Sequence, residues 1–425
     1  MSTIRVHTLK WHMIATIGVA IVVAGQFSGW NYGLAFGWEN LVAALALMLL
    51  FYTGFLQGLS EMGSTWPSAG GLAKYATLAF GEWAGGLVSV SMAMTLVAAT
   101  GIVGSFIAAY AQTVLGADGY IIRVVLFGVI MALHLLGTKE ALWVVLLAGL
   151  VAVLTLLGFA GSAAVSFKVA NLGLGNIPLS FGGVVQAIPF ALWMYLGVEQ
   201  AVTASEEAEL PSRDVPRGLF LALAMLTLTA VGVVVFAPGA GNVSSVAAAG
   251  DPLLAALDSA TSEQGWLVTL IGAGAIFGLL ASFFSLSYSA SRQLFDLSRT
   301  GFFPSSFAKV TTRGTPVAAF LLVAAVGFGI SLFPPEKVLL SVVLLFTSTY
   351  VLTTLSFLRL RKTLADVPRG YRAKGGIATG AVTLLLSGLI FYACFSTDLV
   401  TLAVIALVFA FVLFYRRMSA RAVTA

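Results

Sequence analysis

Two glycines and three polar side chains lie at the centre of an otherwise apolar stretch near the start of the chain. Residues 17–38 read IGVAIVVAGQFSGWNYGLAFGW, and the residues in question are Gly25, Gln26, Ser28, Gly29 and Asn31. Glycine weakens a helix, and in lipid a non-helical backbone is tolerated only where it lines a protein-enclosed cavity. Freed amides attract negative groups, and freed carbonyls attract cations. The pattern therefore predicts a broken membrane helix whose peptide groups and polar side chains bind a solute.

The spacing of Gly25 and Gly29 also fits a second interpretation. Small residues four positions apart let two membrane helices pack closely. Packing alone does not require Gln26 and Asn31 beside the glycines, so the composition favours binding.

A carboxylate interrupts a second apolar stretch. Residues 186–211 read QAIPFALWMYLGVEQAVTASEEAELP, with Pro189, Gly197 and Glu199 inside apolar sequence. A charge at the bilayer centre costs about 2.5–3.5 kcal/mol, which predicts that Glu199 pairs with a cationic substrate or carries a proton. The alternative is a structural carboxyl group, either protonated or hydrogen-bonded to the broken helix. Trp193, six residues earlier, is either a packing residue or a lid over the substrate.

Several further polar residues are candidates for the binding site, but the sequence supports them less strongly. Ser282 and Ser285, in the stretch ASFFSLSYSASR, either join the site or bond their own helix backbone. Four carboxylates at the ends of apolar stretches are most simply interfacial charges that pair with loop arginines such as Arg292 or Arg299, the alternative being a gate latch. These carboxylates are Glu61, Glu206, Glu207 and Glu209.

The composition that surrounds these motifs is that of a polytopic helical membrane protein. The chain has 425 residues, of which 59% are hydrophobic and 9% are charged, with a mean hydropathy of +1.01. A soluble domain needs more surface charge, and an apolar run of about 20 residues is long enough to cross a bilayer. We therefore expect an all-α fold with twelve spans, at about 11–36, 40–62, 84–114, 119–137, 141–166, 184–204, 218–238, 265–291, 316–333, 337–358, 377–396 and 399–415.

The net charge of +5 reflects membrane orientation rather than a nucleic-acid partner. With the N-terminus inside, all but three of the 22 Lys and Arg residues fall on the cytoplasmic side, the exceptions being Arg123, Lys168 and Lys337. Because basic loops stay inside, we expect a multi-pass protein of the cytoplasmic membrane with both termini cytoplasmic. The lone Cys394 excludes an intrachain disulfide.

No linker or compositional break divides the chain, so we expect one membrane transporter domain over residues 1–425. Disrupted helices at matching places in two five-span halves indicate inverted repeats. The repeats cover about 11–166 and 184–358, and two extra helices follow at about 377–415. The long external segment 237–265 has a helical spacing at 251–259, which predicts a short surface helix.

Neither an enzyme nor an ATP-driven pump is indicated. The histidines, His7, His12 and His134, form no metal-ligand pair such as H-E-x-x-H, and no G-x-x-x-x-G-K-[ST] loop is present. A channel is a weaker rival because no span repeats a charged or carbonyl-filter motif. We expect no cofactor, no metal and no nucleic-acid partner; the expected surroundings are the lipid bilayer.

The chain resembles the amino acid–polyamine–organocation (APC) permeases from span 1 to about span 10. The resemblance rests on AGQFSGWN at 24–31, SEMGSTWPSAGG at 60–71, LWMYLGVEQAVTASEEAELPSRDVPRG at 192–218 and SRQLFDLSRTGFFPSSFAKVTTRGTP at 291–316. It implies a twelve-span secondary transporter with the LeuT-type 5+5 inverted repeat, in which helices 1 and 6 are discontinuous.

The resemblance also implies which residues contact the substrate. Gly25 to Asn31, with Phe27 and Trp30 among them, match the substrate segment of span 1. Trp193 matches an aromatic gate, and Leu196 to Glu199, including Gly197, match the unwound part of span 6.

The substrate class follows from the same comparison. Amino acid carriers of this family usually have a Gly-Ser-Gly type segment that holds the substrate carboxylate, where this chain has Gly29-Trp30-Asn31. The two bulky residues should crowd a carboxylate, because close backbone approach depends on small residues. The pattern is similar to the ethanolamine-permease branch, which tends to have an acidic residue where Gln26 stands here.

We therefore expect a permease that moves a small amine such as ethanolamine, or an amino acid, by alternating access. A coupling proton or cation is a further expected partner, with Glu199 as the candidate group. The alternatives are an amino acid exchanger of the same superfamily and a non-transporting nutrient sensor.

Overall fold

The computed structural model describes residues 9–136, 141–260, 265–311 and 315–395, together with 402, 405–407, 409–410, 413–414 and 416. These residues form helices and the loops that join them. Their β-type pairing is an isolated bridge between Leu9 and Ala208. The described chain is therefore all-α, as its composition predicts.

The helices vary from single turns to rods longer than a bilayer is thick. The α-helices are α1 (Trp11–Val22), α2 (Ala24–Phe27), α3 (Trp38–Thr65), α4 (Gly71–Phe80), α5 (Glu82–Leu115), α6 (Gly119–Leu136), α7 (Ala141–Val165), α8 (Phe181–Trp193), α9 (Pro211–Ala240), α10 (Val243–Ala248), α11 (Pro252–Ala260), α12 (Gly265–Arg299), α13 (Val317–Ile330), α14 (Pro335–Thr363) and α15 (Gly376–Phe395). The 3₁₀ segments are Trp30–Phe36, Val169–Leu172, Val198–Glu207 and Ser305–Ala308.

Eight helical stretches in the described part of the chain are long and apolar enough to cross a membrane. They lie in α3, α5, α7, α9, α12, α14 and α15, and in α8 together with the 3₁₀ segment after it. Three shorter apolar helices, α1, α6 and α13, coincide with other predicted spans. The predicted span at 399–415 lies mainly outside the described residues, so the total of twelve and the division into inverted repeats stay predictions.

The first interruption falls inside the stretch that the sequence singles out. α1 and α2 are joined at Val23, and the helical path ends at Ser28, whose backbone is extended. Gly29 follows with a φ of +99°, and a 3₁₀ segment begins at Trp30. Only glycine adopts such a φ without strain, so Gly29 is what lets the chain change direction here.

The second interruption separates α8 from the 3₁₀ segment Val198–Glu207. α8 tolerates Pro189 in its interior and ends at Trp193. Gly197 then takes a φ of +108° immediately before the 3₁₀ segment. As at the first break, a positive φ at glycine redirects a membrane-embedded chain without straining a side chain.

α5 is the central helix of the molecule. It packs against α4, α6, α12, α13 and α14. In its most apolar stretch of about five turns, 83% of the residues are buried by protein. α1 packs mainly against α9 and the 3₁₀ segment Val198–Glu207. The two interrupted elements therefore lie inside the helical bundle rather than against lipid.

The described part of the long segment 237–265 contains more structure than its sequence indicates. The predicted helix at 251–259 is α11, and α10 precedes it as an additional helix. Leu253, Leu254 and Leu257 of α11 are buried, so this helix packs onto the bundle instead of lying on the surface. Burial raises the pKa of Asp251 at the start of α11, and a hydrogen bond from Thr113 opposes that shift.

Glu61, near the end of α3, anchors the loop between α14 and α15. Its carboxylate is buried and lies 3.7 Å from Arg361 Nε and 3.9 Å from Arg369 Nε. It also accepts a hydrogen bond from the Ala373 amide at 2.8 Å. Arg369 in turn stacks over the ring of Trp66, 4.7 Å from its centroid. Glu61 thus pairs with Arg361 of the last turn of α14 and with Arg369 of the loop that follows.

The partners of Glu61 differ from those that the sequence suggested, which were Arg292 and Arg299. Those two arginines lie instead over aromatic rings of their own helix, Tyr288 and Phe295. Glu206, another of the four interfacial carboxylates, accepts a hydrogen bond from the Ala69 amide at 2.9 Å. Glu61 and Glu206 thus each bond to the backbone or side chains of a loop. Which loop each of them contacts depends on the tertiary fold.

We expect Glu61→Gln to destabilise the protein by roughly 2 kcal/mol, because two largely buried guanidinium groups lose their counter-charge. The measurement is thermal unfolding of the purified protein in detergent. Glu82→Gln is the control, because Glu82 is exposed and pairs with Arg416 at the surface, where ion pairs contribute little. Equal Tm values for the two variants would show that the loop does not depend on Glu61.

Candidate functional site

The two helix interruptions meet in the interior of the bundle. The side-chain amide of Gln26 donates to the carbonyl of Met194 at 2.7 Å. The indole Nε1–H of Trp193 donates to the carbonyl of Ser28 at 3.0 Å. Each break thus satisfies freed carbonyls of the other, as a buried backbone requires.

A small cavity lies beside this crossing, with a volume of about 30 Å³, which is room for one or two water molecules. Its wall is formed by residues of α1, α2, α5, α8, α12 and α14, of the break after α8, and of the 3₁₀ segment Val198–Glu207. The lining residues are Ile21, Val22, Ala24, Gly25, Leu96, Ala99, Val103, Trp193, Leu196, Gly197, Gln200, Leu286 and Phe346. No charged side chain is among these described lining residues.

Four of the site residues predicted from the sequence line the cavity, namely Gly25, Trp193, Leu196 and Gly197. A Cβ on Gly25 would lie 2.7 Å from the Trp193 carbonyl oxygen, and one on Gly29 would lie 2.6 Å from Trp193 Nε1. The two glycines therefore do form a packing seam, and the group that they admit is Trp193. The packing and binding interpretations are compatible, because Gly25 belongs to both the seam and the cavity wall.

Two residues of the first break that do not line the cavity, Ser28 and Asn31, bond to α10 and the chain after it. The side-chain amide of Asn31 donates to the carbonyls of Val246, Ala247 and Ala249 at 2.9–3.2 Å. The Ser28 hydroxyl donates to the carbonyl of Gly250 at 2.8 Å. These bonds attach the first break to the segment 237–265.

Trp30 and Phe27 have structural surroundings. The Trp30 indole donates to the Gln26 carbonyl at 3.1 Å, and Trp30 is completely buried. Phe27 packs edge-on against Tyr110, whose hydroxyl donates to the Phe27 carbonyl at 2.9 Å. Neither side chain lines the cavity.

Glu199 is completely buried on the other side of the second break. Its carboxylate accepts a hydrogen bond from the Tyr350 hydroxyl at 3.1 Å and one from the Gly197 amide at 3.3 Å. The Tyr350 hydroxyl is also 2.8 Å from that of Tyr52. Glu199 therefore ends a hydrogen-bonded chain that joins the second break to α14 and α3, and it does not line the cavity.

The two serines of α12 have different roles. Ser282 donates to the carbonyl of Ala20 at 3.0 Å, beside the α1–α2 junction, so it satisfies backbone at the break. Ser285 donates to Ala281 of its own helix at 2.9 Å, which is the alternative that the sequence left open. Neither serine lines the cavity.

The chain segments at the far ends of the two interrupted elements are also joined. The Leu9 amide donates to the Glu207 carbonyl at 3.0 Å, and the Glu209 amide donates to the Leu9 carbonyl at 2.9 Å. The start of α1 is therefore joined to the end of the 3₁₀ segment Val198–Glu207 by main-chain hydrogen bonds.

Several cavity residues have no distinguishing signal in the sequence. Leu96, Ala99 and Val103 lie on one face of α5, and Phe346 lies on α14. In a membrane helix the side chains that face protein and lipid are both apolar, so periodicity does not separate them. Tyr52 and Tyr350 are polar residues inside apolar spans, so the sequence could have marked each of them as a candidate. It could not have shown that the two hydroxyl groups lie side by side.

No metal site is apparent in the described part of the chain, where no three His, Cys, Asp or Glu side chains gather. The chemistry that the site offers is non-covalent. It consists of peptide dipoles, an indole, an amide and small apolar side chains around a closed space.

A family model described as amino acid permease matches residues 9–415. The chain is 27% identical to the branched-chain amino acid permease of Bacillus subtilis over 386 residues, which cover 85% of this chain and 81% of that protein. It is 27% identical to an uncharacterized transporter of Rhizobium meliloti, over 89% of this chain and 84% of the relative. It is 25% identical to the methylthioribose transporter of Bacillus subtilis, over 84% and 80% of the two chains.

Proposed function

Because the chain belongs to the amino acid permease family, we propose that it is a secondary transporter that moves a small neutral amino acid across the membrane by alternating access. The substrate occupies the cavity beside the crossing of the two interrupted helices. The observation that carries this proposal is that Gly25, Trp193 and Gly197 share one enclosed space. The relatives named as amino acid carriers support the substrate class.

The make-up of the cavity wall favours a zwitterion. Peptide dipoles at the two breaks can face both a carboxylate and an ammonium group. A net cation would meet no counter-charge there, which is costly in a low-dielectric interior. Val22, Val103 and Phe346 would contact a short aliphatic side chain. Even the smallest amino acid is larger than one or two water molecules, so substrate binding requires this cavity of about 30 Å³ to widen.

Alternating access would open one cover of the cavity at a time. On one side, Trp193 and the bonds of Asn31 to the external segment separate the substrate from solvent. On the other, the hydrogen bond between Glu199 and Tyr350 joins the second break to α14. We infer that these covers release in turn, and that protonation of Glu199 is what couples their release to a proton.

A small amine such as ethanolamine is a second candidate, favoured by the FSGWN pattern of the first break. The argument against a carboxylate depends on the bulk of Trp30 and Asn31, and both residues lie outside the cavity wall. Exchange of one amino acid for another fits the same site. The placement of basic residues leads us to propose the cytoplasmic membrane, with both termini cytoplasmic.

Labelled alanine should accumulate in proteoliposomes that contain the protein, and it should do so faster with an inward proton gradient. Unlabelled small neutral amino acids should compete at least tenfold better than ethanolamine, because only a zwitterion uses the dipoles at both breaks. Protein-free liposomes are the control. Competition by ethanolamine alone would overturn the amino acid assignment in favour of the amine.

A further inference from the structure

A second, larger cavity lies between α5, α14, α15 and the chain after α15. We call it the α14 crevice. Its volume is about 290 Å³, which is about twice that of an engineered apolar cavity that binds benzene. Most of its wall is hydrocarbon, including Val88, Leu352, Phe391 and Ile405. It is separate from the cavity at the helix breaks and shares no lining residue with it.

The crevice has one polar patch, formed by Ser91, Ser348 and Thr349. Thr349 lies at the midpoint of α14 (Pro335–Thr363), roughly 20 Å along the helix axis from either end. Phospholipid headgroups are therefore far from this patch. Any molecule that reaches it must be soluble in the hydrocarbon of the membrane.

The hydrogen bonds of the patch are incomplete. A threonine inside a helix normally donates to the carbonyl four residues earlier, which for Thr349 is Leu345. That carbonyl already accepts from the Ser91 hydroxyl at 2.7 Å and from the Ser348 hydroxyl at 2.6 Å. The Thr349 hydroxyl consequently has no partner among the described residues, although only 1% of Thr349 is exposed.

Two hydrogen bonds are therefore missing from the patch. The Thr349 hydroxyl needs an acceptor, and a serine oxygen can still accept from a donor. The Thr349 hydroxyl has a proton to donate and nothing to receive it. The Ser91 and Ser348 hydroxyls are hydrogen-bonded to the Leu345 carbonyl and, at 3.0 Å, to each other, and each serine oxygen keeps at least one free lone pair. A hydrocarbon chain satisfies neither need, and a carbonyl group satisfies only the first. A hydroxyl group satisfies both, because it accepts from Thr349 and donates to a serine oxygen.

We propose that the α14 crevice is a binding site for a lipid-soluble alcohol, whose hydrocarbon body fills the crevice and whose hydroxyl bonds to Thr349 and a serine. The inference does not depend on which solute the transporter carries. It does bear on regulation, because Phe346, which precedes Thr349 by three residues in α14, lines the cavity at the helix breaks. An alcohol wedged between α14 and α5 restrains the helix that forms part of that wall.

The test is photolabelling of the full chain in proteoliposomes with a diazirine-bearing octanol, followed by mass spectrometry of the labelled peptides. We expect labels on crevice residues such as Leu352 and Phe391. We expect 1-decanol to compete with the label, and we expect decane, which has the same body without the hydroxyl, to compete at least tenfold less well.

Three variants distinguish a site that recognises the hydroxyl group of an alcohol from a cavity that any hydrocarbon chain can fill. Thr349→Val keeps the side-chain shape and should weaken labelling about tenfold, the value of one hydrogen bond. Thr353→Val is the matched control, because Thr353 is another buried, unpartnered threonine of α14 that lies in a different cavity, and labelling should be unchanged. Leu352→Trp should fill the crevice and abolish labelling there.

Two results would overturn the proposal. Equal competition by decane and decanol, with Thr349→Val labelled like the parent protein, would mean that the crevice accepts any hydrocarbon chain. Absence of label from the crevice of the folded parent protein, as judged by size-exclusion chromatography, would mean that no alcohol binds there. Amino acid uptake can be present or absent in either case, so the outcome is independent of the proposed transport function.

Discussion

Substitution of Glu199 by glutamine is expected to reduce proton-driven uptake at least 100-fold while leaving the protein folded. The amide has the same shape as the carboxyl group and can still accept a hydrogen bond from Tyr350 or Gly197. It cannot take up or release a proton, so the chain from Glu199 to Tyr52 would stay in one state. The measurement is uptake into proteoliposomes with and without a pH gradient, alongside counterflow exchange, which needs no net proton movement.

Glu207→Gln is the matched control, because Glu207 lies in the same 3₁₀ segment with an exposed side chain. Tyr350→Phe should impair uptake less, since it removes the hydrogen bond but leaves the carboxyl group. If Glu199→Gln transports normally in both assays, Glu199 has no part in the mechanism. Loss of uptake with exchange intact would identify it as the coupling group.

Substitution of Gly25 by alanine is expected to reduce uptake roughly 100-fold. The added Cβ would lie 2.7 Å from the Trp193 carbonyl oxygen. Because that atom belongs to the backbone of the second break, no side-chain rotation relieves the clash, and the two breaks must move apart. Gly25 also lines a cavity of only about 30 Å³, so the added methyl group would take up part of that space. Substrate affinity and uptake rate should therefore both fall.

Gly158→Ala provides the control for this variant. Gly158 lies in α7, and a Cβ there would meet no atom within 4 Å, so uptake should be unchanged and helix stability equal or slightly higher. Thermal unfolding separates loss of function from loss of fold. Uptake by Gly25→Ala at the parent rate would mean that the crossing at Gly25 and Trp193 is not where substrate binds.

Some features follow from the sequence because they depend on residue type alone. Membrane insertion follows from the hydrocarbon content of the chain, and the positions of the two breaks follow from Gly29 and Gly197, since glycine adopts a positive φ without steric cost. The composition likewise predicts the all-α fold, because a backbone in lipid must satisfy its own hydrogen bonds. The family resemblance is confirmed by the match over residues 9–415.

Other features required the tertiary structure, because they depend on contacts between residues far apart in the chain. The sequence marked Gly25 to Asn31 as one binding segment, yet only Gly25 of that run lines the cavity, while Asn31 bonds to α10. It marked Glu199 but not Tyr350 or Tyr52, which are 151 and 298 positions from their partners in the hydrogen-bonded chain. It also assigned Glu61 to the wrong arginines.

The physical reason for this division is the solvent. In water, a helix face that packs against protein is apolar and its opposite face is polar, so sequence periodicity identifies the buried side. In a bilayer both faces are apolar, and residues such as Leu96 and Phe346 look the same in sequence whether they face lipid or the cavity. The sequence by itself determined that this chain enters a membrane and where its helices break. The packing of the helices decided which side chains those breaks enclose.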